Sequence, residues 1–102
     1  MTPTQRSLAY LRDLGYIAQV VERWNPWAKV RQDLFQIIDI LAIGYGETIG
    51  VQCTSGSNVA ARVRKIADAQ ATPELRRSGW KLIGHGWRKA KGRWVLRQVD
   101  CS

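Results

Sequence analysis

One acid stands where acids are costly. Asp39 lies in the run Gln36 to Lys65, QIIDILAIGYGETIGVQCTSGSNVAARVRK, among Ile37, Ile38, Ile40, Leu41, Ala42 and Ile43, a pattern that predicts a strand buried on both faces. A carboxylate taken out of water must find partners or take up a proton. Asp39 therefore needs a cation, a hydrogen-bond donor or water. The next strand, Thr48 to Thr54, alternates, with Ile49, Val51 and Cys53 on one face and Gly50, Gln52 and Thr54 on the other. Pairing the two strands across the turn Gly44-Tyr45-Gly46-Glu47 brings Gln52 and Thr54 beside the acid. An amide and a hydroxyl next to a buried carboxylate make a site.

The elements that must position these groups are legible on either side. Pro3 or Thr4 opens a helix with Leu8, Leu11 and Leu14 at helical spacing and Gly15 as its stop. Tyr16 to Trp24 predicts a strand, and Asn25-Pro26 begins a loop, WNPWAKVRQD, that either caps the site or packs Trp27 on the core. After the two central strands, Ser55-Gly56-Ser57-Asn58 offers N-caps for a helix to about Ala71. On that helix Val59, Val63, Ile66 and Ala67 form an apolar stripe, while Asn58, Arg62 and Lys65 form a polar stripe that starts beside Gln52 and Thr54. Thr72 then caps a short helix, Pro73 to about Arg77. Two last strands follow, joined by the basic turn Arg88-Lys89-Ala90-Lys91-Gly92. The order is helix, three strands, helix, one or two strands: a single α/β or α+β domain over residues 1–102.

Charge divides unevenly along the chain. Residues 1–51 hold five bases and five acids, so the whole net charge of +8 falls in residues 52–102. A one-sided excess of this kind is the footprint of a polyanion-binding surface, with a solvated basic surface as the plainer reading. No apolar run is long enough to span a membrane, and MTPTQRSLAY lacks the apolar core of a signal peptide, so the expectation is a cytoplasmic protein. Cys53 and Cys101 fit no metal spacing with the lone His85 and are expected as two thiols, a bridge between them being the alternative.

An acid in the second strand, Ile38-Asp39-Ile40-Leu41-Ala42, and a polar pair in the third, Val51-Gln52-Cys53-Thr54, in this order of elements, resemble the PD-(D/E)xK nuclease superfamily of restriction endonucleases and Holliday-junction resolvases. The resemblance runs over about residues 4 to 87, and QxTSGSN followed by Arg62 and Lys65 looks like a phage or prophage type. It implies a restriction-endonuclease-like core of order αβββαβ with an additional C-terminal strand, in a mixed sheet flanked by helices. It also implies hydrolysis of DNA phosphodiesters with Mg²⁺ or Mn²⁺, in a bacterial or phage-infected cell. Asp39 would ligate the metal, Gln52 would stand at the second ligand and Thr54 at the family's lysine.

Both replacements weaken the pattern, because an amide oxygen ligates without charge and a hydroxyl supplies none. Glu22 or Asp33 can restore the missing acid, Asp33 being an even number of residues before Asp39, and Lys65 or Arg62 can restore the cation. The helix glutamate of related resolvases has no counterpart, since Gln5 and Arg6 stand there. Expected nucleic-acid contacts are Asn58, Arg62, Arg88, Lys89, Lys91 and Arg93, on branched or single-stranded DNA, with a homodimer reaching two strands.

Plainer alternatives stand beside each reading. Asp39 can be a structural acid bound to a backbone turn or to an arginine such as Arg62, Gln52 and Thr54 can be the wet face of an edge strand, and His85 a hydrogen-bonded strand residue. The five tryptophans can all be packing, or one or two near the basic turn can stack on bases. The whole domain can be a catalytically silent nucleic-acid binder, or a scaffold whose basic hairpin meets an acidic protein.

Overall fold

Thr2 and Gln5 cap each other at the head of the chain: Thr2 Oγ1 accepts from the Gln5 N–H at 3.1 Å and Gln5 Oε1 accepts from the Thr2 N–H at 3.0 Å. Helix α1 (Pro3–Asp13) follows in the computed structural model, which describes residues 1–102. Gly15, at φ +100°, lets the chain leave the helix as expected. Leu11 is buried under α1, but Leu14 is exposed.

The strand expected over Tyr16 to Trp24 is two pieces. β1 (Ile17–Val20) joins the main sheet, whereas β2 (Arg23–Asn25) leaves it and pairs antiparallel with β3 (Val30–Gln32). The expected loop is thus a ribbon. Its turn is built by Asn25, whose Oδ1 accepts from the N–H groups of Trp27 at 3.0 Å and Ala28 at 3.2 Å, folding β3 back over Pro26.

The remaining elements are β4 (Ile40–Gly44), β5 (Glu47–Ser55), a 3-10 turn (Gly56–Asn58), α2 (Val59–Asp68), α3 (Thr72–Arg77), β6 (Lys81–Ala90) and β7 (Arg93–Asp100). One five-stranded sheet runs β1-β4-β5-β6-β7. Every pair is antiparallel except β5 with β6, which α2 and α3 connect. The molecule is an α+β fold with a mixed sheet and helices on it.

β5 lies between two strands, so Gln52 and Thr54 are not on an edge: they are 2% and 7% exposed. Ile43 is exposed because it pairs with Ile17 at the β1 edge, and the expected two-sided burial of its strand fails there. The SGSN cluster does not cap α2 through side chains. Asn58 Nδ2 instead donates to Ser55 Oγ at 3.1 Å, within the 3-10 turn. α2 ends at Asp68, before the expected Ala71, and Thr72 enters α3 as its first residue because its hydroxyl donates back to the Ile66 carbonyl.

Each sheet face has its own core. Leu11, Ala18, Ile40, Ala42, Val51 and Cys53 pack on the α1 side, and Ile37, Ile38, Ile66, Leu75, Leu82 and Cys101 on the α2 and α3 side. The two cysteines are free, buried and in different cores, which removes the bridge between them. No helix is long and apolar enough to cross a membrane.

Candidate metal centre and nucleic-acid groove

Asp39 sits one residue before β4, on the α2 face, and is 3% exposed. Its Oδ2 accepts two hydrogen bonds at 2.7 Å, from Gln52 Nε2 and from the Cys53 N–H. Arg62 forms no ion pair with it. The backbone holds it in place as well, since the Asp39 N–H donates to the Val51 carbonyl and the Val21 N–H to the Asp39 carbonyl, each at 2.8 Å. Burial pushes its carboxyl up to about 8, with Asp33 and Glu22 adding to the rise and the Cys53 N–H opposing it. The shift favours the protonated form of the group.

Three carboxylates converge here. Oxygens of Glu22, Asp33 and Asp39 lie within 4.8 Å of one another. Glu22 gets there because the chain leaves the sheet after β1. Asp33 gets there by a turn, not by strand parity: Phe35 and Gln36 adopt φ +52° and +68°, and Leu34 and Ile38 exchange backbone bonds at 2.9 Å, so the chain folds back on itself before Asp39. Left-handed residues without glycine carry a conformational cost, and they persist where the surroundings fix them. An edge-to-face contact of Phe35 with Trp80, at 6.1 Å, is part of that fixing.

Two cations stand over the acids. Lys65 Nζ is 3.5 Å from Asp33 Oδ2, and Arg31 Nη1 is 3.4 Å from Glu22 Oε1. Lys65, expected toward the end of the Gln52 strand, reaches Asp33 instead, while Thr54 stays on β5 opposite Gly86. Gln52 Oε1 is the one buried side-chain oxygen or nitrogen with no hydrogen-bond partner, although its own amide nitrogen is on Asp39. A buried acceptor left without a donor or a cation is costly. The donors are all oxygens, the set that hard divalent cations take.

A groove of about 820 Å³ opens beside this cluster, lined in part by Arg23, Arg31, Gln32, Asp33 and Lys65. Arg23 and Gln32 were not among the expected site residues. Their signal is positional: they face each other across the β2–β3 ribbon, which the sequence presents as a loop.

The basic hairpin turns tighter than expected, with only Lys91 and Gly92, at φ +50° and +75°, between the strands. Arg88 and Lys89 consequently belong to β6 and point to opposite faces. Arg88 packs against Gly56 on the α2 face, whose outer part also carries Arg93 and Arg97, whereas Lys89 pairs with Trp94 on the α1 face. These four bases and Lys91 at the turn are all exposed and free of ion pairs. Asn58 is exposed and bound to Ser55; Arg62 is half-buried.

His85 is buried, between Ser7 Oγ on Nδ1 at 2.9 Å and Gln98 Oε1 on Nε2 at 3.2 Å, and burial pulls it down to about 4. It is a neutral structural residue. Trp24 and Trp27 are not packing residues, being 57% and 95% exposed, and Trp94 lies under the Arg6 guanidinium at 3.8 Å. No family model matches the chain, and no curated protein matches it.

Proposed function

We propose that the protein is a metal-dependent DNA endonuclease of the PD-(D/E)xK type, with Asp39, Asp33, Glu22 and Gln52 Oε1 holding Mg²⁺ or Mn²⁺. The observation that carries this is the convergence of three carboxylates, one of them buried and bonded to Gln52, beside a groove edged with cations. The order of the main sheet supports it too: a helix, three antiparallel strands, a helical connection and a parallel strand, with β7 added.

A bound divalent ion would supply Lewis-acid polarisation of the phosphate and lower the pKa of a water. The chain's own groups do the rest. Arg23, Arg31 and Lys65 hold strand phosphates in the groove, and Arg88, Arg93 and Arg97 extend the positive field along the same sheet face. The proton of the attacking water passes to solvent at the mouth of the groove. Lys65, already beside Asp33, occupies the role that Thr54 lacks the charge to fill. Water adds across one P–O bond, and the departing sugar oxygen is protonated from solvent.

Incubation of the protein with supercoiled, linear, single-stranded and branched DNA in Mg²⁺, Mn²⁺ or EDTA tests this. Metal-dependent cleavage that Asp39→Ala lowers by at least about a hundredfold is expected; cleavage that persists in the variant, or in EDTA, defeats the proposal. A catalytically silent nucleic-acid-binding module is the second reading. The direct Gln52 to Asp39 hydrogen bond favours it, because the pair is coupled without an ion.

A further inference from the structure

The β2–β3 ribbon carries a second hollow, of about 260 Å³, lined by Arg23, Trp24, Asn25, Pro26, Trp27 and Gln32. Two indoles in water forgo the large apolar contribution that burial would give them. The turn that carries Trp27 is fixed at the backbone. Asn25 Oδ1 fixes the Trp27 and Ala28 N–H groups, and Lys29 closes the turn at φ +54°. Two exposed indoles lining one hollow on a turn with a fixed backbone offer stacking area, with few side-chain torsions to order.

Three features narrow the occupant. The walls are aromatic, which suits a flat π-face. Arg23 brings a positive charge and Gln32 an amide, which suits a planar group with polar edges tied to an anion. Arg23 and Gln32 also line the larger groove, so the two hollows share a wall and a strand lying over it would reach both. Duplex DNA keeps its base faces stacked on one another, while an unpaired nucleotide presents them.

We infer that the ribbon is a nucleobase clamp: Trp24 and Trp27 stack an unpaired base of a DNA strand whose neighbouring phosphates lie in the groove beside Asp33 and Lys65. The inference rests on the nuclease reading of that groove and names its substrate class, single-stranded or branched DNA.

Fluorescence anisotropy in EDTA tests the clamp without cleavage, using a labelled oligothymidylate of about 20 nucleotides, longer than one site of this kind. A blunt duplex of the same length and an abasic strand of equal charge are the comparisons. The oligothymidylate should bind tightest. Trp24→Ala with Trp27→Ala should weaken it about tenfold or more, with no change in salt slope because no charge is removed. Trp27→Phe, which keeps a stacking face, should retain most of the affinity. Unchanged affinity in the double variant, or equal affinity for the abasic strand, overturns the clamp. So does failure to bind any of the three, which would leave the ribbon to a protein partner. The nuclease reading is judged separately by Asp39-dependent cleavage. Stacking without cutting defeats only that reading, and cutting indifferent to the tryptophans defeats only the clamp.

Discussion

At the scale of single residues, Asp39 and His85 are both buried and both held neutral, with opposite consequences. In the proposed metal site Asp39 must lose its proton before it binds a cation, so metal association would release a proton below about pH 8. Titration calorimetry should show Mn²⁺ affinity rising with pH from 6 to 8 by up to about tenfold per unit. Asp39→Asn should abolish both the affinity and its slope. His85 behaves differently, because the unfolded chain takes up a proton between 6.5 and about 4 that the folded one refuses. Its contribution is present above pH 6.5 and is lost as pH falls toward 4, a loss of up to about 3 kcal/mol. His85→Gln should flatten this acid limb, read from urea midpoints at pH 7 and pH 4. The sequence marked Asp39 by its apolar neighbours and His85 by its strand position. The empty Oε1 of Gln52 was not legible, since whether a donor faces an oxygen depends on three chain segments meeting.

At the scale of elements, α2 is set down on the sheet by glycines. A Cβ on Gly86 would overlap Val59 Cγ2 and crowd Gly56 Cα at 3.3 Å, so Gly86→Ala must push the start of α2 outward. It should cost about 1–3 kcal/mol of stability and, because α2 carries Lys65, lower cleavage more than the stability change alone would suggest. Thermal melts with single-turnover rates on one preparation would separate the two effects. The polar stripe on α2 was readable because helical periodicity fixes which residues share a face. The β2–β3 ribbon was not, because Pro26 argues locally for a loop and only the Asn25 side chain turns that loop into a hairpin. The same limit hid the route of Asp33, whose even spacing from Asp39 is coincidental across a turn of left-handed residues.

At the scale of the whole molecule, the charge asymmetry visible in the sequence becomes a directional field only once the hairpin register is known. Arg88, Arg93 and Arg97 face the α2 side, Lys89 the other. If the hairpin engages duplex DNA, replacing Arg88, Lys89, Lys91 and Arg93 by Ala should make log affinity against log salt shallower, by about 0.9 for each phosphate no longer neutralised. A slope identical to the parent's would show that the hairpin does not touch DNA. The parallel β5–β6 pair needs the crossover that α2 and α3 supply, and the sequence showed that helical segment without showing the direction of the strand after it. That sheet also works as a partition. On one side of its middle, Ser7, His85, Gln98 and Tyr10 form an uncharged hydrogen-bond network; on the other lie the carboxylates and their cations. Substitutions on the first side should therefore register as stability and those on the second as the proposed metal and phosphate chemistry, with β5 as the strand where the two meet.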